Sequence, residues 1–216
     1  MALTLYYHPL SSYCWKALIA LFENDTAFTP KLVDFSSADS VAGFRALWPM
    51  AKMPVLADGS RGETIPEASI IVEYLSLYYP GPTRLLPQSP EAALEARLRD
   101  RFYDLYVHAP MQKIVGDRIR QGQRDPEGVA EARRTLRTAY GLILGRFAPA
   151  PWAAGEDFGL ADCAAAPALY YADKVEPFGA EHSALAAFLE RLKARPAFAR
   201  VLVDAEPYFG MFPAED

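Results

Sequence analysis

The sequence predicts an α/β domain followed by an all-helical domain, and three observations support this. Strand-like and helix-like patterns alternate over the first eighty residues. A proline-rich break, "YPGPTRLLPQSPEA", follows, and no strand pattern recurs after it. At 216 residues and 51% hydrophobic content, the chain can bury one large core or two modest ones.

Each element has its own signal. "LTLYYH" reads as a strand, "YCWKALIALFEN" carries apolar residues at helical spacing, and "AFTPKLVDF" reads as a second strand. "MPVLAD" and "ETIPE" flank the glycine-bounded turn "GSRG" as a hairpin, and "ASIIVEYLSLYY" forms a helix that runs into Pro80. The order is βαβ, a middle segment, then ββα, which requires a parallel strand pair and an antiparallel hairpin in one sheet with helices on its faces. This places a first domain over residues 1–80, a linker over 81–90 and a helical domain over 91–216. Helices are expected from Glu91 to about Gln121, Pro126 to about Phe147, Leu160 to about Ala172, Ser183 to Ala194, and after Pro196.

Composition narrows the function classes. Lys and Arg number 22 against 27 Asp and Glu, with no block of five like charges, which speaks against a nucleic-acid or membrane-surface role and for a small or proteinaceous partner. The uncharged run Met1 to Trp15 holds His8, Pro9 and two serines and lacks a preceding basic residue, so it reads as neither a signal peptide nor a membrane span. Cys14 and Cys163 lie far apart without ligand-like spacing; neither a disulfide framework nor a metal site is expected, and a reducing cytoplasm is the expected location.

Four local motifs, in order, resemble those of the cytosolic glutathione transferases, over nearly the whole chain. "SSYCWK" (Ser11 to Lys16) is similar to the serine-type active-site motif at the start of the first helix. "WPMAKMPVL" resembles the NPxGKVPxL segment, "PEASIIVEYL" the ESxAIxxYL motif, and "FGLADCAAAPALYY" with "RPAF" the signatures of the helical domain. The resemblance implies a thioredoxin-like βαβαββα domain, an all-α helical bundle, a homodimer, and glutathione as co-substrate for attack on a small hydrophobic electrophile. The alternatives are a glutathione-dependent isomerase, dehalogenase or peroxidase on the same site, since "SSYCW" is similar to the SSCSW of the zeta class, and a non-catalytic binding module.

A free thiol with a pKa near ~8.5 is mostly protonated at neutral pH, so such a protein has to stabilise a thiolate. A hydroxyl at a helix N-terminus does so through its O–H and through the unpaired amides behind it. Ser11 matches the family's catalytic serine, and Ser12 is the second choice; both are equally good helix caps. Tyr7, with Tyr6, is the rival, because some classes use a tyrosine from the end of the first strand. Cys14 reads as a buried small residue and His8 as a loop residue.

For glutathione itself, the resemblance implies a cis peptide at Pro54 that presents the Met53 backbone to the cysteinyl unit, with Lys52 near the glycyl carboxylate. Glu67 is expected to receive the α-ammonium of the γ-glutamyl unit while helix N-terminal amides take its carboxylate. Here the sequence departs from the family pattern: Ala68 stands where a serine is expected, with Ser69 as a replacement hydroxyl. Gly159 likewise replaces the N-cap serine before Asp162, leaving one acidic residue of a capping box. Pro110 predicts a kink in the long helix. Around it, Tyr103, Tyr106 and Met111, with Leu10, are the expected electrophile pocket, and the apolar tail "EPYFGMFP" is expected to fold back on the pocket or the domain interface.

Overall fold

The computed structural model describes residues 3–214. Four strands, β1 (Leu3–Tyr7), β2 (Thr29–Leu32), β3 (Val55–Asp58) and β4 (Glu63–Pro66), form one sheet in the order β2-β1-β3-β4. β1 and β2 are parallel and the other two pairs antiparallel, as the alternation and the hairpin signal predict. The register sets Leu5 opposite Leu56 and Leu56 opposite Ile65, a buried apolar row across the sheet. β2 lies at the edge, where Pro30 costs no ladder bond, and it is shorter than the nine residues its pattern suggests.

Helices α1 (Ser12–Glu23) and α3 (Ala68–Tyr78) bury Trp15, Ile19, Ile71, Val72 and Leu75 in the main core. The middle segment, which carried no assignment from residue pattern alone, forms α2 (Ala38–Leu47), whose single buried residue, Phe44, packs on Val33 and Val55 in a separate small cluster. One buried position gives a helix almost no apolar period to detect.

The second half is helical: α4 (Pro90–Phe102), α5 (Ala109–Arg118), α6 (Pro126–Gly145), α7 (Leu160–Val175), α8 (Ser183–Lys193) and α9 (Pro196–Ala205). The helix expected over Glu91 to Gln121 is interrupted by a π-turn, Tyr103–His108, in which the Ala109 N–H bonds the Asp104 carbonyl five residues back. Pro110, just beyond, has no N–H and would crowd the carbonyl four residues earlier, and widening the preceding turn absorbs that conflict.

α7 is buried along nearly its whole length and packs against α1, α4 and the π-turn. Its start explains the departure at Gly159: a Cβ there would stand 2.8 Å from the Leu85 carbonyl oxygen, the same oxygen that accepts the Leu160 N–H at 2.7 Å. Asp162 accepts the N–H groups of Gly159 (3.0 Å) and Ala153 (2.7 Å), so it secures a loop as well as its own helix end. The tail folds back as expected, with Phe209 stacked on Tyr170 at 6.1 Å and Phe212 against Tyr171 at 5.5 Å. Among the described residues, no helix is long and apolar enough to cross a membrane.

Candidate active site

The chain leaves β1 at Tyr7 and enters α1 at Ser12 through a turn that both halves of the molecule hold in place. Trp15 Nε1 donates to the Pro9 carbonyl (2.5 Å), the Tyr171 hydroxyl to the Leu10 carbonyl (2.9 Å), the Ser11 N–H to the His8 carbonyl (3.0 Å), and the Leu10 N–H to His8 Nδ1 (3.2 Å). Ser11 ends this turn as the N-cap of α1, its Oγ accepting the Cys14 N–H at 3.4 Å. That bond uses a lone pair and leaves the hydroxyl proton free to donate.

Ser11 and Ser12 both line a cavity of about 500 Å³ between the sheet edge, α5 and the tail. The capping role and the cavity-facing role of Ser11 are therefore compatible. Ser12 is 1% exposed, and its Oγ accepts a hydrogen bond from Gln112 Nε2 at 3.0 Å, a contact from α5 that no sequence signal announced.

Neither tyrosine reaches this cavity. Tyr7 lines a separate crevice of about 170 Å³ with Phe22, Arg200 and Asp204, and Tyr6 stacks on Phe44 at 6.1 Å on the other face of the sheet. The pleat sends the two rings to opposite faces of the sheet, and neither lines the cavity at the start of α1. Cys14 is buried, and burial raises its pKa to about 12, so its thiol stays protonated. Burial lowers the pKa of His8, whose Nδ1 already accepts a backbone N–H.

A second cavity, of about 230 Å³, adjoins the first and shares Met53 with it. The Met53–Pro54 peptide is cis. Lys52, Met53, Pro54, Glu67, Ala68 and Ser69 all line this cavity, so the structure brings together every residue of that sequence-predicted group. It adds Tyr13, Arg101 and Asp104. The charged lining is thus two cations, Lys52 and Arg101, and two carboxylates, Glu67 and Asp104. Such a set suits a ligand carrying both an ammonium and carboxylates.

Glu67 itself is held at φ 70° and ψ 118°, outside the regions open to ordinary residues, at the N-cap of α3 with no capping bond from its side chain. A non-glycine residue in this region costs on the order of 1–3 kcal/mol, which the surrounding structure has to offset. The conformation leaves the carboxylate exposed and facing the cavity.

Beneath Ser69 lies a buried charge network that sequence reasoning missed. Lys16 is fully buried, and its Nζ contacts Asp100 Oδ1 (2.5 Å), Ser69 Oγ (2.7 Å) and Asp104 Oδ2 (2.9 Å). Ser69 Oγ in turn donates to Asp100 Oδ2 at 2.8 Å. The Ser69 hydroxyl is therefore committed inward and does not supply the contact that Ala68 lacks. His108 Nδ1 lies 3.5 Å from Asp104 Oδ1, and its ring packs 4.4 Å from that of Tyr13. Although burial pushes the Asp104 pKa up, His108 and Lys16 bring it below the usual carboxylate range; burial lowers that of His108 against the opposing pull of Asp104. The available signal was Lys16 itself, a lone charge inside the apolar run "CWKALIAL", which demands either exposure or a partner.

Of the expected electrophile-pocket residues, Leu10 and Met111 line the larger cavity with Val115, Ile119, Tyr171 and Phe212. Tyr103 and Tyr106 do not. Tyr103 is buried in the core, and Tyr106, 51% exposed, lines a different cavity with Phe102, Leu142 and Phe147. The π-turn explains the error, because one extra residue per turn rotates the side chains before Pro110 relative to those after it.

Comparison with known proteins accords with this geometry. The family model for the glutathione S-transferase N-terminal domain matches residues 5–83, and that for the C-terminal domain matches residues 102–196. A Vibrio cholerae protein described as a probable maleylacetoacetate isomerase is 27% identical over 96% of this chain and 98% of its own. A glutathione S-transferase of Methylobacterium radiotolerans, solved with glutathione sulfonate, is 28% identical at a TM-score of 0.79, covering 93% of this chain and 94% of that one. The glutathione transferase URE2P6 of Phanerochaete chrysosporium, solved with oxidised glutathione, shares the fold at a TM-score of 0.85 and 20% identity over 95% of this chain and 97% of that one. With both domains matched in order and a glutathione-dependent function supported, the chain belongs to the cytosolic glutathione S-transferase family.

Proposed function

We propose that the protein is a glutathione S-transferase that activates the glutathione thiol through Ser11 and directs it at a small hydrophobic electrophile. The observation that carries this reading is the position of Ser11: a helix N-cap with a free hydroxyl proton, on the wall of an apolar cavity that meets a charged one at Met53. Glutathione fits the two together. Its γ-glutamyl end suits Glu67, Asp104 and the α3 N-terminus, its glycyl carboxylate suits Lys52, and its cysteinyl unit passes Met53, which brings the sulfur toward Ser11. The thiol proton leaves to solvent, the Ser11 O–H and the α1 amides stabilise the sulfur anion, and the sulfur forms a bond to the electrophile as its leaving group departs or its double bond takes up a proton.

The working form in this reading is a cytoplasmic homodimer. On α3, Ile70 (52% exposed), Leu77 (68%) and Tyr78 stay uncovered by the rest of the chain, as do Leu94, Leu98 and Leu105 across the neighbouring helical face. Interdomain packing therefore does not hide this surface, and a twofold pairing of the first half of one subunit with the helical half of the other would cover both patches. Sedimentation at micromolar concentration tests it: a species near twice 23.9 kDa supports the dimer and one near 23.9 kDa refutes it.

A second reading, glutathione-dependent isomerisation, draws on the likeness to the Vibrio cholerae protein. Calorimetric titration with glutathione, followed by turnover of 1-chloro-2,4-dinitrobenzene, tests the transferase. Binding with turnover supports it, binding without turnover shifts the assignment to another reaction on the same site, and absence of binding rejects every enzymatic reading.

A further inference from the structure

The electrophile cavity is unevenly provided with charge. Its walls are apolar, with Leu10, Met111, Val115, Ile119 and Phe212 among them, and its uncharged polar groups include Ser11, Ser12 and Gln112. None of the described residues that line it is Lys or Arg. The remaining candidate cation is His8, whose Nδ1 accepts the Leu10 N–H and whose pKa burial lowers against the pull of Asp34. Arg118 lies one turn beyond Val115, but its guanidinium donates to the Pro213 carbonyl at 3.2 Å and is not among the lining groups. Among the described residues, the one carboxylate on the wall is Asp34, in the loop after β2. Its Oδ1 accepts the N–H (2.8 Å) and the hydroxyl (2.7 Å) of Ser36, bonds that favour the charged form.

We infer that this cavity selects uncharged electrophiles and rejects carboxylate-bearing ones, with Asp34 as the residue that sets the discrimination. The inference rests on the transferase reading and narrows its substrate class. A carboxylate entering the cavity would lose water against apolar walls without gaining a cation, and it would sit within the screening length of about 8–10 Å from a fixed anion. Asp34 is itself exposed, so this repulsion acts through solvent at the mouth of the cavity and weakens with salt, and the apolar walls add the cost of lost hydration. An uncharged acceptor such as a carbonyl or nitro group meets no such penalty, and the second N–H of the Gln112 amide remains to receive it while the first holds Ser12. Acetoacetate-type acids, the substrate class named for the Vibrio cholerae relative, carry the group this cavity lacks a partner for.

The test uses product-like ligands, so that it does not depend on turnover. Glutathione, S-(4-carbamoylbenzyl)glutathione and S-(4-carboxybenzyl)glutathione are titrated into the protein by calorimetry at low salt. The two conjugates match in size and differ in charge. The carbamoyl conjugate should bind at least about tenfold more tightly than the carboxylate, the ratio should shrink in high salt, and it should fall to about threefold or less in Asp34→Asn, which keeps an acceptor for Ser36. Equal affinities, or tighter binding of the carboxylate, overturn the inference while leaving the transferase reading in place. Glutathione that fails to bind at all overturns both.

Discussion

Lys16 on α1 and Asp100 on α4 meet at 2.5 Å with both side chains buried, joining the two halves of the chain directly beneath the cavity of Glu67. The ammonium donates to Asp104 and Ser69 and is ion-paired with Asp100, so the desolvation of the lysine is compensated. Lys16→Met strands two buried carboxylates and should cost about 3–5 kcal/mol by urea denaturation, and adding Asp100→Asn should restore part of that loss. A single variant within about 1 kcal/mol of wild type would show that the network holds nothing together.

Glu67 separates binding from backbone strain. Glu67→Gln keeps the residue in its left-handed conformation and removes one charge, and it should weaken glutathione by about 1.5–3 kcal/mol, seen as a raised KM with kcat nearly kept. Glu67→Gly should weaken glutathione similarly yet raise the urea midpoint, because glycine relieves the φ of 70°. An unchanged KM in both would leave Glu67 with no ligand to hold.

Ala68 is buried on the wall of the same cavity, and Ser69 points its hydroxyl into the buried network. Ala68→Ser should therefore supply a new donor and tighten glutathione by about 0.5–1.5 kcal/mol in a calorimetric titration. Weaker binding would mean that the added hydroxyl finds no acceptor on the ligand.

Asp58 closes β3 and gathers hydrogen bonds from Ser60 Oγ (2.6 Å), Tyr79 Oη (2.5 Å) and Tyr74 Oη (2.8 Å). Burial opposes its charge, but these donors outweigh burial and hold its carboxyl well below the usual range. A depressed folded-state pKa stabilises the protein above the unfolded value of about 4 and loses that stabilisation as the pH falls toward the folded value. Wild type should therefore lose stability steadily below about pH 4, and Asp58→Asn, less stable at pH 7, should show a shallower decline. Parallel pH profiles would remove Asp58 from the acid response.

Much of this was legible in the residues. The hairpin around "GSRG", the proline-rich break and the strand-free second half gave the two-part architecture, and the clustering of Lys52, Met53, Pro54, Glu67, Ala68 and Ser69 came from the resemblance of their two segments to the family's motifs. What escaped was non-local. α2 was expected from the family resemblance alone, because it buries only Phe44 and has no period to read. Tyr103 and Tyr106 were misplaced because a π-turn shifts the helical phase, which a 3.6-residue count does not register. Gln112 reaches Ser12 across a hundred residues of sequence, and Asp100 and Asp104 look like ordinary helix-surface acids until the fold turns them onto Lys16. Gly159 reads as a lost cap until the Leu85 carbonyl is seen in its place.

The central claim, that Ser11 stabilises a glutathione thiolate, is tested most directly by the ionisation of bound glutathione. Titrating the ultraviolet thiolate absorbance of the enzyme–glutathione complex against pH should give a thiol pKa below about 7 in wild type, where the free thiol lies near ~8.5. Ser11→Ala should return the bound thiol most of the way to the free value and lower turnover about 10²-fold while glutathione affinity is nearly kept. A bound thiol that titrates alike in wild type and Ser11→Ala would contradict the account, and a shift seen only in Ser12→Ala would move the donor one residue into the helix.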